Sequence, residues 1–399
     1  MIKRIIIQDF FSFKGKKEIE LNSGINILLG INGSGKTSFL NAFRLLYEGV
    51  SGIGFESLFQ KQWGGFNEVA NVNQTQALAI QITYVFDYEI LKKINSSSPF
   101  DTDVYYCISV NPLGTTSYTI KEKLYTENKN KKGKMFSYLD FNNGNGKLSE
   151  RDQIGNINYP DYKEGEISGQ ELVLRQITDP LRYLPMHVIR KAIDSMSIYS
   201  YFDTDLLRRP TNEYAGLKLK KTGDNLISLL SYLKNNRTQI YNTIEKNLSN
   251  INSTYKSIEF TPYAAQLYLS LREKNLDKTI GASHLSDGTL RYLLLMAVFC
   301  NPNRGFFVGI DEPESGLHPD MIKSICDMMK EAKDTQMIIA THSPLLLNHF
   351  ELENILVFEK NEQNETIVKK VSEDDFPDWE GDFLVGQMWL RGQIGGKRW

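Results

Sequence analysis

Eight consecutive residues, Gly30-Ile31-Asn32-Gly33-Ser34-Gly35-Lys36-Thr37, combine three glycines, a lysine and a hydroxyl at a spacing that suits the grip of a polyphosphate. Glycines let the backbone turn tightly, so that its N–H groups and the start of a following helix converge on phosphate oxygens. A lysine in the place of Lys36 reaches the β- and γ-phosphates of a bound triphosphate, and a hydroxyl in the place of Thr37 holds Mg²⁺. Gly30, Asn32, Gly33, Ser34, Gly35, Lys36, Thr37 and Ser38 are therefore candidate ATP contacts, with Thr37 also a candidate metal ligand.

The local setting agrees. An apolar run, Ile25 to Leu29, reads as a buried strand that feeds the loop. Phe39, Leu40, Phe43, Leu45 and Leu46 then give Ser38 to Tyr47 a helix face. A strand, a glycine-rich turn and a helix are the context this spacing requires.

A second block of chemistry lies about two-thirds along the chain. His284 to Thr289 precedes an apolar helix, Leu290 to Cys300. The apolar strand Phe306 to Ile310 ends in Asp311-Glu312-Pro313. Ser315-Gly316-Leu317-His318-Pro319 leads into a helix reaching Ala332, and the strand Gln336 to Ala340 ends in Thr341-His342-Ser343-Pro344. Polar residues delivered at the carboxyl ends of strands sit where open α/β sheets bind ligands.

On these residues the chain resembles the ABC-type ATPases of the RecF/SMC/OLD-like branch. Leu285-Ser286-Asp287-Gly288-Thr289 is similar to their signature motif, Asp311-Glu312 to the end of Walker B, Ser315 to Pro319 to the D-loop, and His342 to the switch histidine. The resemblance covers roughly 1–50 and 280–350, in the family's order. It implies an α/β ATPase head with a helical insert between phosphate loop and signature. Asp311 would bind Mg²⁺ through water, Glu312 would act as general base, and His342 would sense the γ-phosphate, with Lys36 completing the catalytic set. In this family the signature serves the opposite subunit, so Ser286 and Gly288 would contact ATP in trans and two copies would sandwich the nucleotide. Asp287 and Thr289 replace the Gly and Gln commonest in transporters, and no Q-loop glutamine is singled out among Gln60, Gln62, Gln74 and Gln76.

The elements that must position these groups follow from periodicity. Ile5 to Ile7 and Lys17 to Leu21 read as strands, joined by the aromatic turn Phe11 to Gly15, whose Lys14 is a candidate to approach the nucleotide. Gly49 to Asn73 reads as loop. Alternation in 77–86, 104–110, 118–124 and 134–141 predicts an antiparallel meander, with a polar tip at 127–133. From Gly169 the period becomes helical. Pro180 and Pro185 break that run, and one longer helix is expected from Leu226 to Leu248. Strands return at Ile258 to Phe260 and Leu267 to Leu271. The domain expectation is an N-terminal ATPase lobe over 1–168, a helical insert over 169–257, and a C-terminal ATPase lobe over 258–399.

Bulk properties narrow the class. The chain has 399 residues, 41% hydrophobic and 24% charged, with a formal net charge of -2, so a globally basic nucleic-acid binder is not indicated. Cys107, Cys300 and Cys326 have no metal-ligand spacing and suit a reducing, cytoplasmic compartment. No apolar run approaches a membrane span, and no signal peptide is read at the N-terminus. The basic clusters 129–132, Arg208-Arg209 and Lys218 to Lys221 read as solvated surface, or as a phosphate-binding groove should they share a face in the dimer. After His342 the expected Toprim features of OLD-family nucleases are missing: Glu359 is followed by Lys360-Asn361, and Glu373-Asp374-Asp375 reads as a turn. The Gly386 to Trp399 tail, rich in glycine and aromatics, is similar to that of stand-alone prokaryotic ATPases.

The resulting expectation is a Mg²⁺-dependent ATPase whose head dimerisation switches a separately encoded effector, a nuclease among the candidates, as in prokaryotic antiviral defence. Alternatives are a RecF/SMC-like ATPase acting on DNA or RNA, a transporter's nucleotide-binding subunit, and a scaffold that binds ATP without turnover.

Overall fold

The computed structural model describes residues 1–71, 79–113, 117–127, 135–152, 154–163, 165–200, 202–212, 216–376 and 384–395. Its internal packing separates two units. The first comprises Met1–Ser23, Gly30–Met196 and Val357–Lys369; the second comprises Gly24–Leu29, Ser197–Leu356 and Lys370–Trp399.

In chain order the elements begin with β1 (Ile2–Phe10), β2 (Phe13–Glu20), β3 (Ile25–Leu29) and α1 (Lys36–Val50). Then come α2 (Phe66–Val69), β4 (Ile80–Phe86), α3 (Tyr88–Ile94), β5 (Val104–Leu113), β6 (Ser117–Glu127), β7 (Met135–Asn142) and β8 (Asn145–Leu148). Short pieces follow: β9 (Glu150–Arg151), β10 (Ile157–Asn158), β11 (Asp161–Tyr162), α4 (Val173–Gln176), α5 (Leu184–Asp194) and β12 (Met196–Tyr199).

The first unit is built on an antiparallel sheet ordered β11-β8-β7-β6-β5-β4-β1-β2. Alternation along β5 and β6 buries every second residue, as a sheet with one solvated face demands. Helix α1 packs on α5, and its Phe39 lies edge-on to Phe43 at 5.3 Å and Phe358 at 5.4 Å. Fully buried Tyr84 on β4 donates its hydroxyl to the Ala42 carbonyl at 2.6 Å, tying the sheet to the helix that follows the phosphate loop.

The second unit contributes α6 (Thr204–Leu207), β13 (Thr211–Asn212), α7 (Leu226–Asn236), α8 (Thr238–Ile251), β14 (Tyr255–Tyr263), β15 (Gln266–Glu273), β16 (Ile280–Gly281) and α9 (Asp287–Phe299). It continues with β17 (Phe307–Asp311), α10 (Pro319–Glu331), β18 (Gln336–Thr341) and α11 (Pro344–Leu347). Strands β19 (Ile355–Lys360) and β20 (Thr366–Lys370) belong mostly to the first unit, and α12 (Val385–Leu390) follows in the second. Strands β17, β18 and β3 pair in parallel. Every residue of β18 is buried, the continuous burial expected of a strand covered on both faces. Helix α9 is buried from Thr289 to Phe299 apart from Arg291, so it is a core helix and not an amphipathic surface one.

Three local expectations change. The single helix from Leu226 to Leu248 is two, α7 and α8, because Arg237 leaves helical geometry (φ −141°, ψ 54°) after the weak helix formers Asn235 and Asn236. Pro185 does not break a helix. It sits in the first turn of α5, where a missing N–H costs nothing. The segment after α1 is not loop throughout: a π-helical turn, Ser57–Gln62, and α2 form around Phe59, whose ring meets Phe55, Trp63, Phe66 and Tyr118. Between Gly169 and Ser257 the helices alternate with β12, β13 and the start of β14. The polar tip at 128–133 and the tail residues 396–399 lie outside the described residues.

Candidate active site

In the first unit the loop from Gly30 to Gly35 is shaped by what would collide with a side chain. A Cβ on Gly30 would stand 2.5 Å from both the Phe358 carbonyl and Ser34 Oγ. Gly35 has φ 110°, and a Cβ there would strike Thr366 Oγ1 and come within 2.8 Å of Ser12 Oγ. Thr366 secures the loop from behind, with its hydroxyl 2.9 Å from the Ser34 carbonyl and 2.7 Å from Ser12 Oγ. Ser12 Oγ in turn lies 3.3 Å from Ser38 Oγ.

The groups facing the loop fit a polyphosphate. Lys36 is 5% exposed and donates to the carbonyls of Gly30 at 2.7 Å and Ile31 at 3.1 Å, so its ammonium is held over the loop. Helix α1 starts with no side-chain cap and no acidic residue in its first turn, so no carboxylate offsets its positive dipole end there. Ser34 Oγ is buried without a partner, and Asn32, Gly33 and Thr37 are exposed. Lys14, a candidate to approach nucleotide, instead pairs with Glu365 at 2.9 Å.

In the second unit, in-register pairing sets Leu29 opposite Thr341 and Ala340 opposite Asp311, so three strands end level, and the phosphate loop begins at the residue after Leu29. The turn after β17 is strained: Glu312 has φ 48°, rare for a non-glycine and typical of functional positions. Its N–H donates to the Ala340 carbonyl at 2.9 Å. Both side-chain oxygens are engaged. Oε1 lies 2.8 Å from His342 Nδ1, and Oε2 accepts from Ser315 Oγ at 3.2 Å. Asp311 is half-buried at the end of β17. Among the described residues no three His, Cys, Asp or Glu side chains form a ready metal cage. Mg²⁺ needs none, since it is commonly held by one or two protein oxygens plus substrate phosphates.

Glu314 was not singled out by sequence reasoning. It is 8% exposed, accepts the Thr341 hydroxyl, and burial raises its carboxyl above the usual range. Thr341 Oγ1 accepts the Ser343 N–H at 3.0 Å, so Glu314 braces the turn that carries His342. The repeated carboxylate in Glu312-Pro313-Glu314 was the only hint. His318 caps α10, accepting from the Asp320 N–H at 3.4 Å, and its side chain is 66% exposed.

The signature turn is held from an unexpected direction. Ser286 caps α9 by accepting the Thr289 N–H at 3.1 Å. Arg208, read from sequence as solvated surface, donates to the carbonyls of Leu285 at 2.6 Å and of Ala282 and Ser283 at 3.2 Å, and binds Asp287 Oδ1 at 2.6 Å. That hydrogen bond holds the Asp287 carboxyl below its usual range. The five donors of a guanidinium suit this multiple grip, which a lysine could not reproduce. Lys220 of the neighbouring basic cluster pairs with Asp224 at 3.3 Å, and the cluster at 129–132 lies outside the described residues.

Of the glutamines considered for a Q-loop, Gln60 and Gln62 belong to the π-helical turn, where Gln62 pairs with Arg44; Gln74 and Gln76 lie outside the described residues. Glu359 pairs with Lys369 at 2.7 Å, and Glu373 to Asp375 form an exposed turn. The tail packs through α12: Val385, Met388, Trp389 and Ile394 are buried, and the Gly386 N–H donates to Asn348 Oδ1 at 2.9 Å. A Cβ on Gly386 would strike the Pro344 carbonyl, on the helix that follows His342.

Two crystal structures of SMC head domains superpose over nearly the whole chain. One, an SMC head bound to the C-winged helix domain of ScpA, has a TM-score of 0.58 at 15% identity and covers 94% of this chain and 99% of its own. The other, from Pyrococcus furiosus with an extended coiled coil and bound to the C-terminal domain of ScpA, gives 0.57 at 13%, covering 94% and 98%. The fold is that of an SMC head. Residues 172–348 match a family model described as an AAA domain, putative AbiEii toxin, Type IV TA system. This span contains the signature turn, Asp311-Glu312, the Ser315 turn and His342 of the head, and begins well after the phosphate loop. No protein with a curated description matches the chain. The shared head fold does not by itself fix an activity.

Proposed function

We propose that the chain is a Mg²⁺-dependent ATPase that dimerises on ATP and acts in the cytoplasm as a switch for a separately encoded effector, in the manner of prokaryotic antiviral defence. Gly30 to Ser38 bind the phosphates, Thr37 and Asp311 hold Mg²⁺, Glu312 polarises the attacking water, and His342 responds to the γ-phosphate. Ser286 and Gly288 serve the nucleotide of the partner copy.

One observation carries the ATPase reading. The strand ends at Leu29, Thr341 and Asp311 are level, and they carry in turn the phosphate loop, the His342 turn and the Glu312 turn. The toxin-related description of the matching family supports a defence role. Heads of this fold bound to ScpA domains are a precedent for binding a separate protein.

Phosphate release from Mg-ATP, measured on the parent chain and on Lys36→Ala, tests the reading. Turnover by the parent, with nucleotide binding lost in Lys36→Ala, is expected. Equal ATP affinity in the two proteins would overturn the phosphate-loop assignment.

A further inference from the structure

Between the Glu312 turn and the signature turn of the same chain runs a short polar path. Ser315 Oγ donates to Glu312 Oε2 at 3.2 Å, and the Ser315 carbonyl accepts from Arg291 Nη1 at 3.1 Å. Arg291 lies on α9, three residues beyond Gly288, so one helical turn separates them. Gly288 itself is pressed against the same loop: a Cβ there would stand 2.8 Å from the Gly316 carbonyl. The D-loop is therefore fastened at one end to the catalytic carboxylate and at the other to the first turn of the signature helix. Arg291 also lines a cavity of about 390 Å³ together with Asp311, Glu312, Ser315 and Phe202.

We propose that Arg291 is a positioning residue that couples the catalytic carboxylate to the signature turn within one chain. The coupling rests on the ATPase reading above, in which Ser286 and Gly288 act on the partner's nucleotide. Glu312 divides its two oxygens between His342 and Ser315, so any change in how it is engaged is felt at Ser315. A movement of the Ser315 carbonyl draws on Arg291 and hence on α9, while the Gly288–Gly316 approach leaves the signature turn no room to stay behind. Each chain would thereby present its signature according to the state of its own site, which makes turnover in the two sites interdependent. Contacts within one hydrogen-bonded network are where such non-additive behaviour arises.

The test compares the full-length parent with Arg291→Met, which keeps length and apolar bulk but removes every donor, and with Arg291→Lys, which keeps a charge and a donor. Affinity for a fluorescent ATP analogue, kcat and KM for ATP, and the fraction of dimer formed with Mg-ATP are read for each, beside thermal melting. In Arg291→Met the affinity should stay within about twofold while kcat falls about tenfold and the dimer fraction drops; Arg291→Lys should recover part of both. Parent-like kcat and dimerisation in Arg291→Met would overturn the coupling. So would a loss of ATP affinity equal to that of Lys36→Ala, or a Lys variant no better than Met. If the parent itself behaves like Lys36→Ala, the ATPase reading falls, and the coupling falls with it.

Discussion

Glu312 and His342, thirty residues apart, share a hydrogen bond of 2.8 Å between Oε1 and Nδ1. Neighbouring strands β17 and β18 end level, so the two side chains meet directly beyond the sheet. With Oε2 taken by Ser315, the carboxylate is oriented on both sides. Glu312→Gln should lower kcat by about 10²–10⁴ while keeping ATP affinity, and should trap an ATP-bound dimer. Sizing with ATP and Mg²⁺ checks this, and a purely monomeric Glu312→Gln would remove the trans-signature mechanism. His342→Ala frees Oε1 and should also lower kcat without abolishing binding.

Glu314 separates a hydrogen-bonding role from a charge. Its carboxyl is buried beside the Thr341 hydroxyl, and burial raises its pKa, which favours the neutral form. Glu314→Gln should therefore be well tolerated. Glu314→Ala leaves Thr341 without its partner and should cost about 1–3 kcal/mol. Chemical denaturation of the two variants would show the difference, and equal losses would refute a bracing role.

Arg208 holds three carbonyls before α9, those of Ala282, Ser283 and Leu285, as well as Asp287. Arg208→Ala should increase hydrogen exchange of the backbone across 282–288 and reduce turnover about tenfold, with ATP affinity unchanged. Unaltered exchange in that segment would show that the guanidinium is not what holds the turn.

In the first unit, Glu122 makes stability depend on pH. It is fully buried among Tyr106 Oη, at 2.7 Å, and the N–H groups of Val173 and Leu174, and burial pushes its carboxyl up to about 7. Below the ordinary carboxyl range both folded and unfolded chains are protonated. Between that range and about 7 only the folded chain keeps the proton, so stability falls as pH rises through this window and levels off above it. A melting series across the window should show the decline, and Glu122→Gln should flatten it even where it lowers the overall melting temperature.

The glycine-rich turn before α1 and the strand ends were legible because local backbone geometry encodes them. Three glycines and a lysine at fixed spacing leave few conformations other than a phosphate cradle, and a short apolar run followed by Asp311-Glu312 describes a buried strand meeting solvent. The core helix α9 and the meander of β4 to β7 were equally readable from period. The split at Arg237 was not, since the apolar period runs through it and only a weak-propensity pair marks the break. The partners of the functional side chains were hidden for a different reason. Arg208 meets Asp287 across 79 residues, Glu314 meets Thr341 across 27, and Arg291 reaches Ser315 across 24. No local rule encodes such pairings. They depend on the register of β17 against β18 and on the packing of α6 and α9, which bring distant segments within hydrogen-bond reach. Spacing along the chain thus names the candidate groups for chemistry, and the packed sheet and helices decide which groups hold them.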